Sequence, residues 1–173
     1  LLLGSGFAYG NSSELPYAKQ FSIGGANSLR AYRLRTLGPG RFVSSPDNDN
    51  QFIDQTGDIK IESSIEYRFP IFGFIKGALF VDAGNVWLNG SEDPNRQNGV
   101  FSVKEFYKDI AVGSGFGVRF DLTVFLLRLD VAWPLRDIRS DGTFDWVIND
   151  IDIIDRSWRG DNIVYNLGIG YPF

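Results

Sequence analysis

The segment GDIKIESSIEYRFPI, residues 57–71, decides the fold class because its polar and apolar residues alternate almost without exception. Polar side chains occupy six even-numbered positions, Asp58, Lys60, Glu62, Ser64, Glu66 and Arg68. Isoleucine, tyrosine or phenylalanine occupies five of the six odd-numbered positions from 59 to 69, and the sixth is Ser63. A period of two places neighbouring side chains on opposite faces of a β-strand. The segment therefore predicts a strand with one charged face and one apolar face.

Five further segments show the same alternation and predict a chain of six strands. They are residues 1–10, 76–88, 109–122, 124–135 and 163–173. The segment at 76–88 is the least regular, because Phe80 shares a face with Asp82. Each segment is near the roughly 9–11 residues that a tilted membrane strand needs.

The connections between these segments alternate between short turns and long polar loops. Short turns occupy residues 70–74 and 121–123, and long loops run over about residues 11–56, 89–108 and 137–161. Aromatic residues gather at both ends of the strands: Phe69, Phe72, Phe74, Phe120, Phe125, Tyr171 and Phe173 near the short turns, and Tyr9, Trp87, Tyr107 and Trp133 near the long loops. This asymmetry and the two aromatic girdles are typical of outer-membrane β-barrels.

A soluble β-sandwich or lipocalin-like barrel is the main alternative, because its strands also alternate. The inward face of a small soluble barrel must be apolar. In this chain the polar face is rich in glycine and in opposite charges, whereas the apolar face is large and aromatic. The pattern therefore favours an all-β transmembrane barrel whose apolar face contacts lipid.

Composition excludes several classes of function. The 173 residues include no cysteine and no histidine, which excludes disulfides, thiol redox chemistry, histidine catalysis and His/Cys metal sites. The net charge is −4 without an evident basic face, so nucleic acid is not an expected partner. No apolar run approaches the roughly 18 residues of a membrane helix. The absence of methionine leads us to expect the C-terminal piece of a longer protein.

Four motifs, read together, resemble the BamA/TamA superfamily of outer-membrane assembly and translocation barrels. They are GGANSLRAYRLRTLGPG, IEYRFPI, GALFVDAGNVW and the terminal NLGIGYPF, and they follow the order of that family. The resemblance covers essentially the whole chain. It implies that the predicted segments are the last six or so antiparallel strands of a sixteen-stranded barrel in a bacterial outer membrane. Residues 1–173 would then be the C-terminal part of one barrel domain, with an inward-folding loop at about 11–56.

The resemblance also implies a role for the first long loop, in which three arginines fall within six residues. In the family this loop folds back into the barrel lumen, and the matching tip here is Leu29, Arg30, Ala31 and Tyr32. Alanine at position 31 replaces the usual glycine, so a positive φ at that residue would be strained.

By the same resemblance, Asp82 and Glu66 are the inner-wall acids that hold Arg30. Both acids occupy positions that the alternation assigns to the charged face of their strands. A guanidinium binds a carboxylate through two strong hydrogen bonds. We therefore predict an internal ion pair for Arg30. Arg33 and Arg35 remain compatible with a solvated position at the rim, where ion pairs contribute little.

The C-terminus matches the pattern that ends many outer-membrane strands, and in the family this pattern is an assembly signal. It also predicts a weak seam, because glycine lowers the order of a strand and proline removes a main-chain donor. An exposed strand edge is a template for another strand. The residues of this predicted signal and seam are Asn166, Gly168, Gly170, Tyr171, Pro172 and Phe173.

Other motifs do not predict catalysis or a cofactor. GSGFG at 113–117 lacks the third glycine of a nucleotide fingerprint, and we interpret it as a smooth inner wall for the returning loop. DNDNQFIDQTGD fails the EF-hand template, since its sixth and twelfth places are Phe52 and Asp58. An irregular calcium site using Asp47, Asp49 or the acids of residues 149–155 stays open. The acids Glu62, Glu66, Asp82 and Asp130 are expected to balance Lys60, Arg68, Arg119 and Arg128 in the lumen.

The expected function is non-enzymatic assembly, insertion or translocation of other proteins through the seam and the lumenal loop. The expected partners are the outer-membrane bilayer and nascent outer-membrane or secreted proteins, and accessory subunits stay open. No metal or other cofactor is expected. The alternatives are a passive porin and a two-partner secretion transporter, and the sequence does not separate an insertase from a TamA-like paralogue.

Overall fold

The computed structural model describes residues 1–9, 15–43, 55–91, 93–122 and 124–170, and within them one antiparallel sheet of seven strands. The strands are β1 (Leu2–Ser5), β2 (Ile59–Phe72), β3 (Ile75–Trp87), β4 (Ala111–Asp121), β5 (Leu126–Ile138), β6 (Phe144–Trp146) and β7 (Val164–Gly170). The helical segments are four 3-10 helices, Tyr17–Lys19, Pro94–Gly99, Phe106–Asp109 and Ile148–Asp150, and one α-helix, α1 (Arg156–Asn162). In this described part of the chain, every helix is too short or too polar to cross a membrane.

The strands follow one another in the sheet in chain order, as expected for a barrel wall. β1 to β5 are neighbours in sequence order, β6 pairs with the Arg136–Ile138 end of β5, and β7 pairs with its other end. The fold prediction is confirmed, because each of the six predicted segments overlaps one of these strands. β1 is shorter than predicted, with four of the ten residues assigned to the first segment. β6 was not predicted, since its three residues lie within the loop assigned to 137–161.

The two faces of the sheet have the polarity that the alternation predicted. Ile65 on β2 is 74% exposed and Leu167 on β7 is 63% exposed, although both are apolar. Asp82 on β3 and Arg119 on β4 point to the opposite face and are each 1% exposed. Buried charges with exposed apolar side chains are the reverse of a soluble barrel, and they suit a lipid-facing exterior.

The inner face also carries an apolar cluster that the sequence did not predict. The loop between β1 and β2 lies against the inner side of the sheet and buries its own side chains there. The cluster consists of Ile23, Leu29, Ala31, Tyr32 and Leu37 from the loop, and Phe80, Val86, Ala111, Ala132 and Phe144 from the sheet and its connections. The loop is therefore packed onto the inner wall by apolar contacts as well as by charges.

The prediction that Trp87 belongs to an interfacial aromatic girdle is wrong. Its side chain is fully buried, and its indole Nε1 donates a hydrogen bond of 3.3 Å to Asp109 Oδ2. The indole makes edge-to-face contacts with Phe101 and Phe106 of the loop between β3 and β4. That loop folds over the end of β3, so Trp87 belongs to a loop layer at the barrel rim and does not face lipid.

Candidate functional site

The loop between β1 and β2 doubles back on itself and presents residues 28–32 to the inner wall. Main-chain hydrogen bonds close it, from Gly25 N to Tyr32 O at 2.8 Å and from Arg35 N to Ile23 O at 2.9 Å. Gly24 has φ of 102°, and a Cβ there would lie 2.2 Å from the carbonyl oxygen of Arg33. The turn therefore requires glycine at this position.

Arg30 is the centre of the site and is 4% exposed. Its Nε and Nη2 atoms donate to the two carboxylate oxygens of Asp82, each at 2.8 Å, and its main-chain N donates to Asp82 Oδ2 at 3.1 Å. Its Nη1 atom lies 2.5 Å from Glu66 Oε2. The guanidinium carbon lies 3.4 Å from the ring centroid of Phe80, which explains why this aromatic residue occupies the charged face of β3.

A second arginine extends these contacts into a buried ion network. Glu66 Oε2 accepts a hydrogen bond of 2.9 Å from Arg119 Nη2. Arg119 Nη1 also contacts Asp130 Oδ1, and Asp130 Oδ2 lies 4.0 Å from Arg30 Nη1. The sequence assigned Arg119 and Asp130 only to general charge balance. The register of β4 against β5 is what brings them into one ring with Arg30 and Glu66.

The other two loop arginines lie outside this network. Arg33 is exposed, and Arg35 Nη1 donates to the hydroxyl of Tyr17 at 2.6 Å near the surface. Arg33 matches the solvated rim position that the sequence left open, whereas Arg35 is half-buried beside Tyr17.

Tyr32 anchors the tip on the side of β5, since its hydroxyl donates to the carbonyl oxygen of Arg136 at 2.7 Å. Burial, and then the negative charge of Asp137, raise the pKa of the Tyr32 hydroxyl well above its ordinary value. The hydroxyl therefore stays protonated and acts as a donor.

The glycines of β4 form the wall that we predicted for the returning loop. A Cβ at Gly113 would lie 2.3 Å from the Cβ of Ala31, and a Cβ at Gly115 would lie 2.6 Å from the ring of Phe80. Ala31 is not among the described residues with positive φ, where Arg35 at 63° is the non-glycine example. The methyl group of Ala31 is thus accommodated by the missing side chain at Gly113.

Replacing Gly113 by alanine should lower the free energy of unfolding by about 1–3 kcal/mol, the usual cost of overpacking a filled site. The two methyl groups would compete for one volume, so the additional change Ala31→Gly should restore most of the loss. Denaturant unfolding of the full-length protein in detergent micelles would measure the four members of this double-mutant cycle. If Gly113→Ala lowered the free energy of unfolding equally with alanine and with glycine at position 31, the assigned contact between Ala31 and Gly113 would be contradicted.

The last strand contacts the loop directly. Asn166 Nδ2 donates to the carbonyl oxygen of Arg30 at 2.8 Å. Arg128 of β5 contacts Asn27 Oδ1, and its guanidinium lies across Gly168, where a Cβ would be 2.8 Å from Nη2. A Cβ at Gly170 would have no neighbour within 4 Å. The remaining residues of the predicted signal, Tyr171, Pro172 and Phe173, lie outside the described residues.

The open question of a calcium site receives no support from the described residues. Asp47 and Asp49 lie outside them. Elsewhere, including residues 149–155, the described acids form no group of three or more that could hold a metal ion.

Comparison with known proteins identifies the family. A family model described as the Omp85 superfamily domain matches residues 1–173. The chain is 35% identical over 92 residues to the outer membrane protein assembly factor BamA of Neisseria meningitidis serogroup B, which covers 50% of the chain and 11% of that protein. It is 30% identical over 113 residues to the chloroplastic outer envelope protein 80 of Arabidopsis thaliana, covering 65% of the chain and 13% of that protein.

The chain thus spans 11% and 13% of the lengths of these two relatives. The family match over all 173 residues agrees with the inverted polarity of the sheet and with the four motifs of the sequence. The chain belongs to the Omp85 superfamily and is part of an outer-membrane β-barrel.

Proposed function

We propose that this chain is part of a barrel that assembles outer-membrane proteins or translocates proteins, and that a client strand pairs with the edge of β7. The proposal involves no covalent chemistry and no cofactor. It is supported by the similarity to a protein named as an outer membrane protein assembly factor. The observation that carries it is the loosely packed end of β7, where a Cβ at Gly170 would have no neighbour within 4 Å.

Among the described strands, β7 pairs with β5 alone, from Leu126↔Gly170 to Ala132↔Val164. β1, at the opposite end of the sheet, likewise pairs with β2 alone. The main-chain donors and acceptors on the other edge of β7 can pair with a further strand, either of the same barrel or of a client. The outward side chains of β7 are apolar and exposed, so a strand added at this edge would continue the lipid-facing surface. These side chains are Tyr165, Leu167 and Ile169.

The two glycines of β7 differ in their surroundings. Gly168 is covered by the guanidinium of Arg128, whereas Gly170 has open space around the position of a Cβ. Glycine reduces the order and packing of a strand. The end of β7 near Gly170 is therefore the part of the strand that is least constrained by its neighbours.

The lumenal loop favours this function over a passive porin. Leu29, Ala31 and Tyr32 are buried against the inner face of the sheet, and Arg30 is held there by Asp82 and Glu66. In a passive porin an inner loop would serve to narrow the channel, whereas this loop also contacts β7, the strand whose edge is proposed to receive the client. We propose that the ion network fixes the loop and, through it, the shape of the barrel at this level.

Replacing Gly170 by valine should slow client assembly about five-fold and leave the stability of the barrel unchanged or raised. Valine favours an ordered, paired strand over glycine by up to about 1 kcal/mol, which would oppose the release of the edge. The measurement is the folding rate of a client barrel into liposomes that contain the full-length protein.

The matched control is Gly90→Val, since Gly90 lies in a loop and also has no neighbour within 4 Å of a Cβ. An unchanged client folding rate in Gly170→Val would contradict the proposed role of the edge. A steady, large single-channel conductance of the full-length protein would favour the porin.

A further inference from the structure

We infer that Asn166 is a positioning residue that couples the lumenal loop to the last strand, so that docking of Arg30 holds β7 in place on β5. The coupling itself follows from contacts within the chain. Its consequence for client assembly rests on the function proposed above.

The register of β5 and β7 brings the loop tip between two neighbouring side chains. Asp130 of β5 and Asn166 of β7 are directly paired across the two strands. Asp130 Oδ2 lies 4.0 Å from the guanidinium of Arg30, and Asn166 donates to the carbonyl oxygen of the same residue at 2.8 Å. One loop residue is therefore held by β5 through its side chain and by β7 through its main chain.

A second contact on the same face, two residues along each strand, also joins the loop, β5 and β7. Arg128 of β5 is paired in register with Gly168 of β7 and contacts Asn27 of the loop. Its Nε and Nη2 atoms would lie 2.9 and 2.8 Å from a Cβ at position 168. The missing side chain at Gly168 lets Arg128 lie across β7 and reach the loop, so two of the four inward positions of the strand serve the loop contact.

These contacts make the loop and the last strand interdependent. Moving β7 away from β5 would remove the amide donor from a buried carbonyl group, and leaving a buried polar group unpaired is costly. Undocking the loop would in turn free Asn166 and Arg128. Coupling between two sites is reciprocal, so each change must loosen the other segment.

Under the proposed function, this coupling relates the state of the edge to the state of the lumen. A client strand that pairs with β7 and displaces it would weaken the hold on Arg30. An undocked loop would in turn give a more mobile edge.

The test is amide hydrogen exchange, measured by mass spectrometry on the full-length protein in nanodiscs without any client. Asn166→Ala should speed exchange about five-fold both in β7 and in residues 23–37, the size expected for the loss of one hydrogen bond. The matched control is Asn162→Ala, because Asn162 donates to Trp158 O within α1 and should affect only that helix. Asn166→Gln, which keeps the amide donor, should lie closer to the wild type.

The reciprocal variant Asp82→Ala undocks Arg30 from β3 and should speed exchange in β7. The double variant with Asn166→Ala should then add little to the exchange of β7. Faster exchange confined to β7 in Asn166→Ala, or confined to the loop in Asp82→Ala, would overturn the coupling. If Asn166→Ala does not fold, Arg128→Ala removes the second contact instead. Hydrogen exchange in β7 and in residues 23–37 then measures the coupling in the same way.

The client folding rate of the same variants separates this inference from the proposed function. Coupled exchange with an unchanged folding rate would uphold the coupling and count against the use of the β7 edge by clients. A changed folding rate without coupled exchange would overturn the coupling and uphold the edge.

Discussion

Replacing Asp82 by alanine is expected to lower the free energy of unfolding by about 3–5 kcal/mol, the range found when one partner of a buried ion pair is removed. Asp82 is 1% exposed and accepts three hydrogen bonds from Arg30. Without Asp82, the guanidinium would lose its bidentate partner, and Glu66, the acid that still contacts it, also accepts hydrogen bonds from Arg119 and Arg68. The loop would therefore lose its strongest attachment to the wall.

The measurement is denaturant unfolding of the full-length protein in detergent micelles, with Asp121→Ala as the control. Asp121 forms an ion pair with Lys76 at 3.0 Å, but the two side chains are 35% and 44% exposed. A solvated pair of this kind contributes at most about 1 kcal/mol. Similar losses in the two variants would show that the Arg30 site is solvated and would remove the energetic basis of the docked loop.

Replacing Gly117 by alanine is expected to cost about 3 kcal/mol or more, because the new methyl group overpacks the wall and displaces a buried ion pair. The Cβ would lie 2.0 Å from the position of Asp130 Oδ1, 2.5 Å from Arg119 Nη1 and 2.7 Å from the carbonyl oxygen of Leu129. The first two atoms belong to side chains that are each 1% exposed, and the third belongs to the main chain of β5. The carbonyl oxygen is fixed by the pairing of β4 with β5, and moving either buried side chain would disturb the Arg119–Asp130 ion pair.

Gly170→Ala is the control for this second expectation, since it makes the same change in a strand at a position with no neighbour within 4 Å. Alanine is favoured over glycine within a strand by roughly 0.5–1 kcal/mol, so the control should be neutral or slightly stabilising. Equal stability of Gly117→Ala and Gly170→Ala would mean that the Arg119–Asp130 pair does not fill the space above Gly117.

The strands and their faces could be predicted because alternation is a local signal that each segment carries by itself. Interactions between distant segments were harder to see. Phe80 appeared as an irregularity of β3, since its partner Arg30 lies 50 residues earlier in the chain. Trp87 was assigned to the lipid interface because nothing in β3 indicates that the following loop folds over it. β6 was missed because three residues are too few to show a period.

The candidate site was also predictable only in part. Parity placed Glu66 and Asp82 on the charged face, and the family resemblance assigned them to Arg30. The alternation does not give the register between strands. That register places Asp130 next to Asn166 and brings both residues to the loop. The sequence therefore identified Asn166 as part of a terminal signal and gave no indication of its contact with Arg30.

The position of Arg30 has a mechanical consequence for the curvature of the wall. Main-chain hydrogen bonds between neighbouring strands hold the strands side by side, but they do not by themselves fix the curvature of the wall. Arg30 contacts β2, β3 and β7 at once and approaches β5, so it spans this arc as a chord on the concave side. Such a chord opposes a change in the radius of the arc, and we expect the cross-section at this depth to change most easily once the contacts of Arg30 are broken.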